Sequence, residues 1–290
     1  MDLTERRRAL GALNEKITRC VACPLAKTRT HAVPGEGNID ADLMFIGEAP
    51  GYYEDQQARP FVGAAGQFLE QLLTGIGLTR SEVFIANVIK CRPPNNRDPL
   101  PAEIDACSGW LGEQIALVQP SVIVTLGRYS LARYFPGMAI SRIHGQGRKV
   151  EDLWVVPMYH PAAALHQGSL RAVIEEDFQK IPGYLAQALK EREAATALRA
   201  TQETQVQDAI KAPSLWNVLR PFDAAQGSQA QDAIGGASTA HSEDRSEGHH
   251  SDAPSRHPVS EGDSPGREPV EGPAAVAVSA PPEPAQMKLF

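Results

Sequence analysis

Apolar residues recur along the first 190 residues in two patterns, as short continuous runs and as stretches with helical spacing. The continuous runs predict four buried strands, at residues 43–47, 83–88, 121–126 and 153–158. Apolar residues three or four positions apart predict helices at residues 4–19, 64–76, 101–118 and 169–199, with a short helix ending near residue 134. Strands that alternate with helices favour a parallel sheet covered on both faces. We therefore predict a three-layer α/β/α fold with a central, mainly parallel four-stranded sheet.

Polar side chains stand where several of these strands end. Glu48 follows the first strand and begins a long loop, residues 47–66, while Asn87 lies near the end of the second strand and His160 follows the fourth. The carboxyl ends of parallel strands form the ligand-binding edge of a sheet, and loops of this length are usually functional. Taken singly, a strand-end Asn is often a satisfied turn residue and a His before Pro often caps a helix. Together these residues predict one shared site.

The side chains at this edge suit the recognition of a flat heterocyclic base. The amide of Asn87 offers both a donor and an acceptor, which matches the imide edge of a pyrimidine. Phe61 lies in the long loop and offers a flat face on which a base can stack. His160 can stabilise an anionic leaving group, and Glu48 can position water.

Composition divides the chain near residue 200. Residues 1–190 contain 20 basic and 20 acidic side chains, whereas residues 191–290 contain 8 and 15. The neutral first part neither favours nor excludes nucleic-acid binding, because a local basic face is enough. Residues 200–285 are poor in aromatics and rich in Gly, Pro, Ser, Ala and acidic groups, which predicts a disordered linker. The charged amino-terminal stretch and the lack of a long apolar run lead us to expect a cytoplasmic protein.

The four cysteines form two pairs. Cys20 and Cys23 have the spacing C-x2-C, and Cys91 and Cys107 flank fifteen residues that include a proline-rich loop. Without a secretion signal, such pairs indicate a metal site rather than disulfides. Zinc and an iron–sulfur cluster both accept four thiolates, so spacing alone does not decide between them. The wide second pair is atypical of zinc knuckles and favours a [4Fe-4S] cluster, while zinc and merely buried cysteines remain alternatives.

Several independent motifs resemble those of the iron–sulfur family 4 uracil-DNA glycosylases. The motifs are GEAPG at 47–51, RPFVG at 59–63, the strand-end Asn87 followed by KCRPP at 90–94, HPAAAL at 160–165, and the placement of the four cysteines. The resemblance implies an enzyme of base excision repair that flips uracil out of DNA and hydrolyses its N-glycosidic bond, leaving an abasic site. It also strengthens the expectation of a [4Fe-4S] cluster, with all four cysteines as ligands.

The resemblance implies a role for each pocket residue at a matching position. Glu48, Ala49 and Pro50 would line the uracil pocket, and Glu48 would orient water or support the sugar cation. Phe61 would stack on uracil. Asn87 would read the N3 and O4 edge of the base and reject cytosine.

Two further positions follow from the resemblance, and others depart from it. His160 would hydrogen-bond uracil O2 as negative charge develops there, and Leu165 would fill the emptied base stack. Tyr52 and Tyr53 stand where the family usually has acidic residues, so we expect one of them to tune base selectivity. Ala49 takes the place of an Asp that holds water in related enzymes, which leaves the water-holding residue open.

The cluster has a structural task in this interpretation, because hydrolysis needs no electrons. It would pin the amino-terminal segment to the loop between Cys91 and Cys107, so that the nearby Lys90, Arg92 and Arg97 meet DNA phosphates. Two functions from other classes remain open. A non-catalytic, metal-stabilised nucleic-acid-binding module would form no abasic product, and an electron-transfer protein would not depend on the pocket residues.

The end of the sequence contains a separate motif, QMKLF. Gln286, Leu289 and Phe290 in it resemble the Gln-x-x-Leu-Phe peptide by which bacterial repair and replication proteins bind the sliding clamp. We therefore expect three regions: a glycosylase domain with the cluster at 1–199, a disordered linker at 200–285, and a clamp-binding peptide at 286–290.

Overall fold

The computed structural model describes residues 1–211, in which a mixed β-sheet is flanked by helices on both faces. The strands are β1 (Glu36–Gly37), β2 (Leu43–Gly47), β3 (Phe84–Asn87), β4 (Val122–Leu126), β5 (Arg148–Val150) and β6 (Leu153–Met158). The helices are α1 (Leu3–Thr18), α2 (Tyr52–Gln57), α3 (Ala64–Gly75), α4 (Pro101–Val118), α5 (Arg128–Ala132), α6 (Ile140–Ile143), α7 (Ala162–His166), α8 (Ser169–Phe178) and α9 (Ile181–Lys211).

The sheet has the strand order β1-β3-β2-β4-β6-β5. Strands β3, β2, β4 and β6 run parallel, which confirms the predicted parallel core, and their carboxyl ends lie at one edge. Strands β1 and β5 add antiparallel pairs at the two sides of the sheet. The sequence did not reveal these two strands because segments of two and three residues are too short to show a period.

The two faces of the sheet are covered by separate apolar clusters. On one face, α1 and α4 pack through residues such as Leu13, Ile17 and Leu111. On the other face, α3 and α8 pack through Leu69 and Phe178. Strands β2 and β4 are buried along their whole length, as a central strand covered on both faces requires.

Helix α1 is anchored at its start by a capping box and by Arg6. At its start, the Asp2 carboxylate accepts a hydrogen bond from the Glu5 N–H, and the Glu5 carboxylate accepts one from the Asp2 N–H. The Arg6 guanidinium donates to the carbonyls of Leu117 and Val118 at the end of α4. These carbonyls have no partner within their own helix, so Arg6 ties α1 to α4.

The last predicted helix, residues 169–199, is two helices in the structure. Helix α8 ends at Phe178 and α9 begins at Ile181. Pro182 explains the break, because proline lacks the N–H that would continue the helix but is tolerated in a first turn. Helix α9 continues past residue 199 to Lys211, into the segment predicted as a linker, and the rest of that segment lies outside the described residues. No helix in the described part is both long and apolar enough to cross a bilayer.

Candidate active site and cysteine site

Three of the predicted site residues meet around Gly47, at the end of β2. The rings of Phe61 and His160 are stacked, with centroids 5.5 Å apart and planes 25° from parallel. A β-carbon on Gly47 would lie 2.4 Å from Asn87 Oδ1 and 2.6 Å from Phe61 Cζ, so both side chains touch this backbone. Glu48 is the next residue along the chain. The parallel strands and the loop after β2 therefore bring Phe61, Asn87 and His160 together, with Glu48 adjacent to them along the chain.

Asn87 presents a buried acceptor at this site. Its residue is 2% exposed, and its Oδ1 accepts no hydrogen bond from the described part of the chain. Asn87 is therefore not a turn residue whose side-chain hydrogen bonds are satisfied. Leaving a buried acceptor unpaired costs about 1–3 kcal/mol of folding free energy. Because Oδ1 lies over Gly47 and beside the Phe61 ring, it is placed to accept from a ligand on that ring.

His160 is held as a neutral imidazole with a defined tautomer. Its Nδ1 accepts a hydrogen bond of 3.1 Å from the Ala162 N–H, so the ring proton is on Nε2. Burial lowers the pKa of His160 to about 4, an effect that the nearby charge of Glu54 only partly offsets. Nε2 therefore offers an N–H donor at neutral pH, without a positive charge on the ring.

Glu48 is a half-buried carboxyl group. Burial raises its pKa, the neighbouring charge of Asp98 raises it further, and Arg128 opposes both effects. Arg128 also forms an exposed ion pair with Asp98. Glu48 thus places negative charge in a partly dry environment, where it interacts strongly with any positive charge that develops nearby.

The loop that supplies Phe61 is tied down by Glu54. One Glu54 oxygen accepts from the N–H groups of Val62 (2.8 Å) and Gly63 (2.9 Å), and the other accepts from the Gly51 N–H (3.1 Å). Glu54 thus joins the GEAPG segment to the RPFVG segment. Glu54 is not among the predicted site residues, although its place three residues after Gly51 matches the capping position of a short helix.

The remaining predicted pocket and DNA-facing residues lie around the same edge. Pro50 is buried, and Ala49 is half-buried against the core. Leu165 is 51% exposed on the short helix α7, which begins two residues after His160. Tyr52 and Tyr53 are about half exposed and contact each other edge to face.

The prediction that Lys90 contacts DNA phosphates is wrong, because its side chain is buried. It is 1% exposed, and its ammonium group donates to the Asn87 carbonyl (2.9 Å) and to Gln114 Oε1 (2.6 Å). Burial lowers the pKa of Lys90 to about 7. Arg92 and Arg97 do reach the surface: Arg92 lies 5.1 Å from the centroid of the Tyr52 ring, and Arg97 is partly exposed.

The four predicted metal ligands line one cavity between the segment that follows α1 and the first half of α4. The cavity walls include Cys20, Cys23, Cys91 and Cys107. The Arg29 guanidinium donates to Cys91 Sγ (2.8 Å), and the Lys90 N–H donates to Cys107 Sγ (3.3 Å). Burial raises the pKa of Cys91, and it raises the pKa of Cys107 to about 11. Within residues 1–211, no three His, Cys, Asp or Glu side chains form a group that could hold a single metal ion.

Comparisons with known proteins agree with this architecture. The sequence model of the uracil DNA glycosylase superfamily matches residues 34–181. A type-4 uracil-DNA glycosylase of Sulfurisphaera tokodaii is 49% identical over 183 residues, which cover 60% of this chain and 83% of that protein. Type-4 enzymes of Archaeoglobus fulgidus and Thermotoga maritima are 45% and 41% identical; the matches cover 60% and 62% of this chain and 92% and 96% of those proteins. The chain belongs to the type-4 uracil-DNA glycosylases of this superfamily.

Proposed function

We propose that the residues gathered at the carboxyl ends of β2, β3 and β6 bind an extruded uracil and cleave it from its deoxyribose. As a type-4 uracil-DNA glycosylase, the chain is a DNA repair hydrolase whose substrate is uracil-containing DNA. One observation carries the assignment of the pocket: the buried Oδ1 of Asn87 has no hydrogen-bond donor in the described chain. The N3–H of uracil is a donor that fits this acceptor.

Recognition in this proposal combines stacking with a pair of hydrogen bonds. Phe61 stacks on the flipped base, and the Asn87 amide accepts from N3–H and donates to O4. Cytosine has an acceptor at N3 and a donor at position 4, so the same amide orientation opposes it. Ala49 and Pro50 line the pocket beside the base. Leu165, exposed on α7, enters the space that the base leaves in the DNA stack.

Bond cleavage in this proposal depends on two charges that develop as the glycosidic bond lengthens. Negative charge accumulates on uracil O2, where the Nε2–H of His160 donates a hydrogen bond. Positive charge accumulates on the sugar, where the Glu48 carboxylate stabilises it and orients water. A neutral histidine suits this task, since its donor is in place before the reaction begins.

Asn87→Asp tests the assignment of the pocket. The variant keeps an oxygen acceptor but loses the donor to O4 and adds a charge beside it, so we expect uracil excision to fall about 10²–10³-fold. The assay incubates protein with a uracil-containing oligonucleotide and measures strand scission after alkali. Scission at the normal rate would contradict the assigned role of Asn87. Absence of scission with the native protein, at normal DNA binding, would favour the non-catalytic module.

Gly47→Ala should obstruct the pocket without changing its chemistry. The new methyl group would lie within 2.6 Å of Phe61 Cζ and closer still to Asn87 Oδ1, so one of these side chains must move. We expect excision to fall by about 100-fold, the size of effect that misplacement of binding groups produces. A matched control is Gly11→Ala, because a β-carbon at Gly11 has nothing within 4 Å. Equal rates for the two variants would count against the proposed pocket.

We also propose that Cys20, Cys23, Cys91 and Cys107 hold a [4Fe-4S] cluster. Four sulfurs around one cavity, with N–H groups directed at three of them, suit a sulfur-ligated group. Zinc requires four ligands about 2.3 Å from a single ion, and the described side chains include no such group. When bound, the cluster would supply metal–thiolate bonds that cross-link the segment after α1, the β3–α4 loop and α4. Because free thiols persist in a reducing compartment, we propose that the enzyme acts in the cytoplasm.

The carboxyl-terminal residues Gln286, Leu289 and Phe290 lie outside the described residues. From their sequence we propose that they bind a bacterial sliding clamp through a long tether. Deletion of residues 286–290 should abolish clamp pull-down and leave excision on short oligonucleotides unchanged. Replacing Met287 by Ala is a control, because this position is variable in Gln-x-x-Leu-Phe. Unchanged pull-down after the deletion would refute the role of the motif.

A further inference from the structure

We propose that Arg80 is a positioning residue for Phe61 and thereby sets the affinity of the enzyme for extruded uracil. The inference rests on the proposed stacking role of Phe61. Arg80 lies in the loop between α3 and β3 and is not one of the pocket residues described above. Its effect would pass through the backbone of the loop that supplies the stacking ring.

Arg80 joins Glu36 to the neighbouring carbonyls of Pro60 and Phe61, and its Nη1 also lies 3.6 Å from Glu70 Oε1 on α3. Its Nη1 donates to the Phe61 carbonyl (2.8 Å), its Nη2 donates to the Pro60 carbonyl, and its Nε donates to the Glu36 carboxylate on β1. The Arg80 side chain is 14% exposed. Two adjacent carbonyls held by one planar guanidinium have a fixed direction, because the donor fork is rigid.

The backbone of Phe61 needs such support. Phe61 has a φ of 53°, in the left-handed region that bulky residues rarely adopt. A β-carbon on Gly66 would lie 1.9 Å from the Phe61 oxygen, so the first turn of α3 packs against the same carbonyl. The carbonyl is therefore held from two sides, and this directs the Phe61 ring toward Gly47 and His160.

Arg59 provides a matched control within the same cluster. It donates to both oxygens of Glu36, through Nε (2.7 Å) and Nη2 (3.1 Å). Among the described residues Glu36 is its only hydrogen-bond partner, and its side chain is 55% exposed. Loss of Arg59 thus removes a charge beside Glu36 and leaves the carbonyls of Pro60 and Phe61 in place.

The test compares Arg80→Lys, Arg80→Gln, Arg59→Gln and Phe61→Ala in the full-length, cluster-loaded protein. For each we would measure the inhibition constant of free uracil, kcat and KM for excision, the affinity for an abasic-site oligonucleotide, and the thermal midpoint. We expect both Arg80 variants to weaken uracil inhibition about 10- to 100-fold, since a small misplacement of a binding group has effects of this size. Affinity for the abasic oligonucleotide should stay within a factor of three. Arg59→Gln should resemble the native protein in uracil inhibition and in affinity for the abasic oligonucleotide.

A double variant tests whether Arg80 acts through Phe61. In the Phe61→Ala background, Arg80→Lys should weaken uracil inhibition no further, because the ring that it positions is gone. Additive effects, or an Arg80→Lys variant with native uracil affinity, would overturn the inference and leave the stacking role of Phe61 intact. Native uracil affinity in Phe61→Ala alone would overturn the stacking role and this inference with it. If Arg80→Gln fails to fold, Arg80→Lys carries the test, because it keeps a cation beside Glu36.

Discussion

Replacement of His160 by alanine is expected to lower the rate constant of uracil excision by about 10²–10³-fold, the usual effect of removing one donor to a developing oxyanion. The donor is the Nε2–H, whose tautomer is set by the Ala162 N–H bound to Nδ1. Affinity for abasic-site DNA should change little, because the donor acts on the leaving uracil. Single-turnover excision of uracil from an oligonucleotide measures the rate directly.

The control for this variant is His166→Ala, since His166 lies exposed at the end of α7, the short helix that follows His160. His166→Ala should cleave at the native rate. A His160→Ala enzyme within threefold of native would contradict the electrophilic role of His160.

The depressed pKa of His160 also predicts a pH dependence. Burial lowers this pKa from the ordinary 6.5 to about 4. Between these values the unfolded chain binds a proton that the folded protein does not, so His160 destabilises the fold progressively as pH falls below 6.5. Protonation of Nδ1 would also remove the acceptor for the Ala162 N–H. The rate of excision should show no His160-dependent change above the folded-state pKa of about 4, whereas the loss of stability that begins below pH 6.5 should be smaller in His160→Ala.

Loss of the cysteine site is expected to have the second large effect. Cys91→Ala removes a buried sulfur from the wall of the cavity and leaves the Arg29 guanidinium without its sulfur acceptor. Because a cluster that cross-links the fold contributes its binding energy to folding, we expect the variant to lose iron, brown colour and most soluble yield. The soluble remainder should excise uracil poorly. Iron and sulfide content, with thermal midpoints, measure these effects.

A control for this variant lies inside the first cysteine pair. Val21 is 82% exposed between Cys20 and Cys23, so Val21→Ala should retain iron, stability and excision. Full activity and normal stability in iron-free Cys91→Ala would refute the structural role of the cluster.

The cysteine site and the proposed uracil pocket are joined through the buried residue Lys90, by its main-chain N–H on one side and its ammonium group on the other. The Lys90 N–H donates to Cys107 Sγ, and the Lys90 ammonium donates to the Asn87 carbonyl. A shift of the cysteines thus reaches the strand end that presents the Asn87 amide. This explains why Cys91→Ala should impair excision even though hydrolysis needs no electron transfer.

The sequence predicted the parallel core because continuous apolar runs mark buried strands, and it predicted the shared site because polar residues follow those strands. Asn87 and His160 were predicted as site residues in this way, and the structure places both beside Phe61. The sequence did not identify Arg80 or Glu54, because hydrogen bonds to main-chain carbonyls and N–H groups leave no periodic pattern. Lys90 was wrongly predicted to lie at the surface. Its burial is tolerable because its ammonium group has two acceptors, and one of them, on Gln114, is 24 residues away and is not evident from the local sequence.

A crystal structure of the protein with free uracil tests most directly whether Phe61, Asn87 and His160 form one base pocket. We predict that the ring lies against Phe61, that N3–H and O4 face the Asn87 amide, and that O2 accepts from His160 Nε2. Uracil bound at another place, with Asn87 and His160 out of hydrogen-bond reach of it, would contradict the pocket.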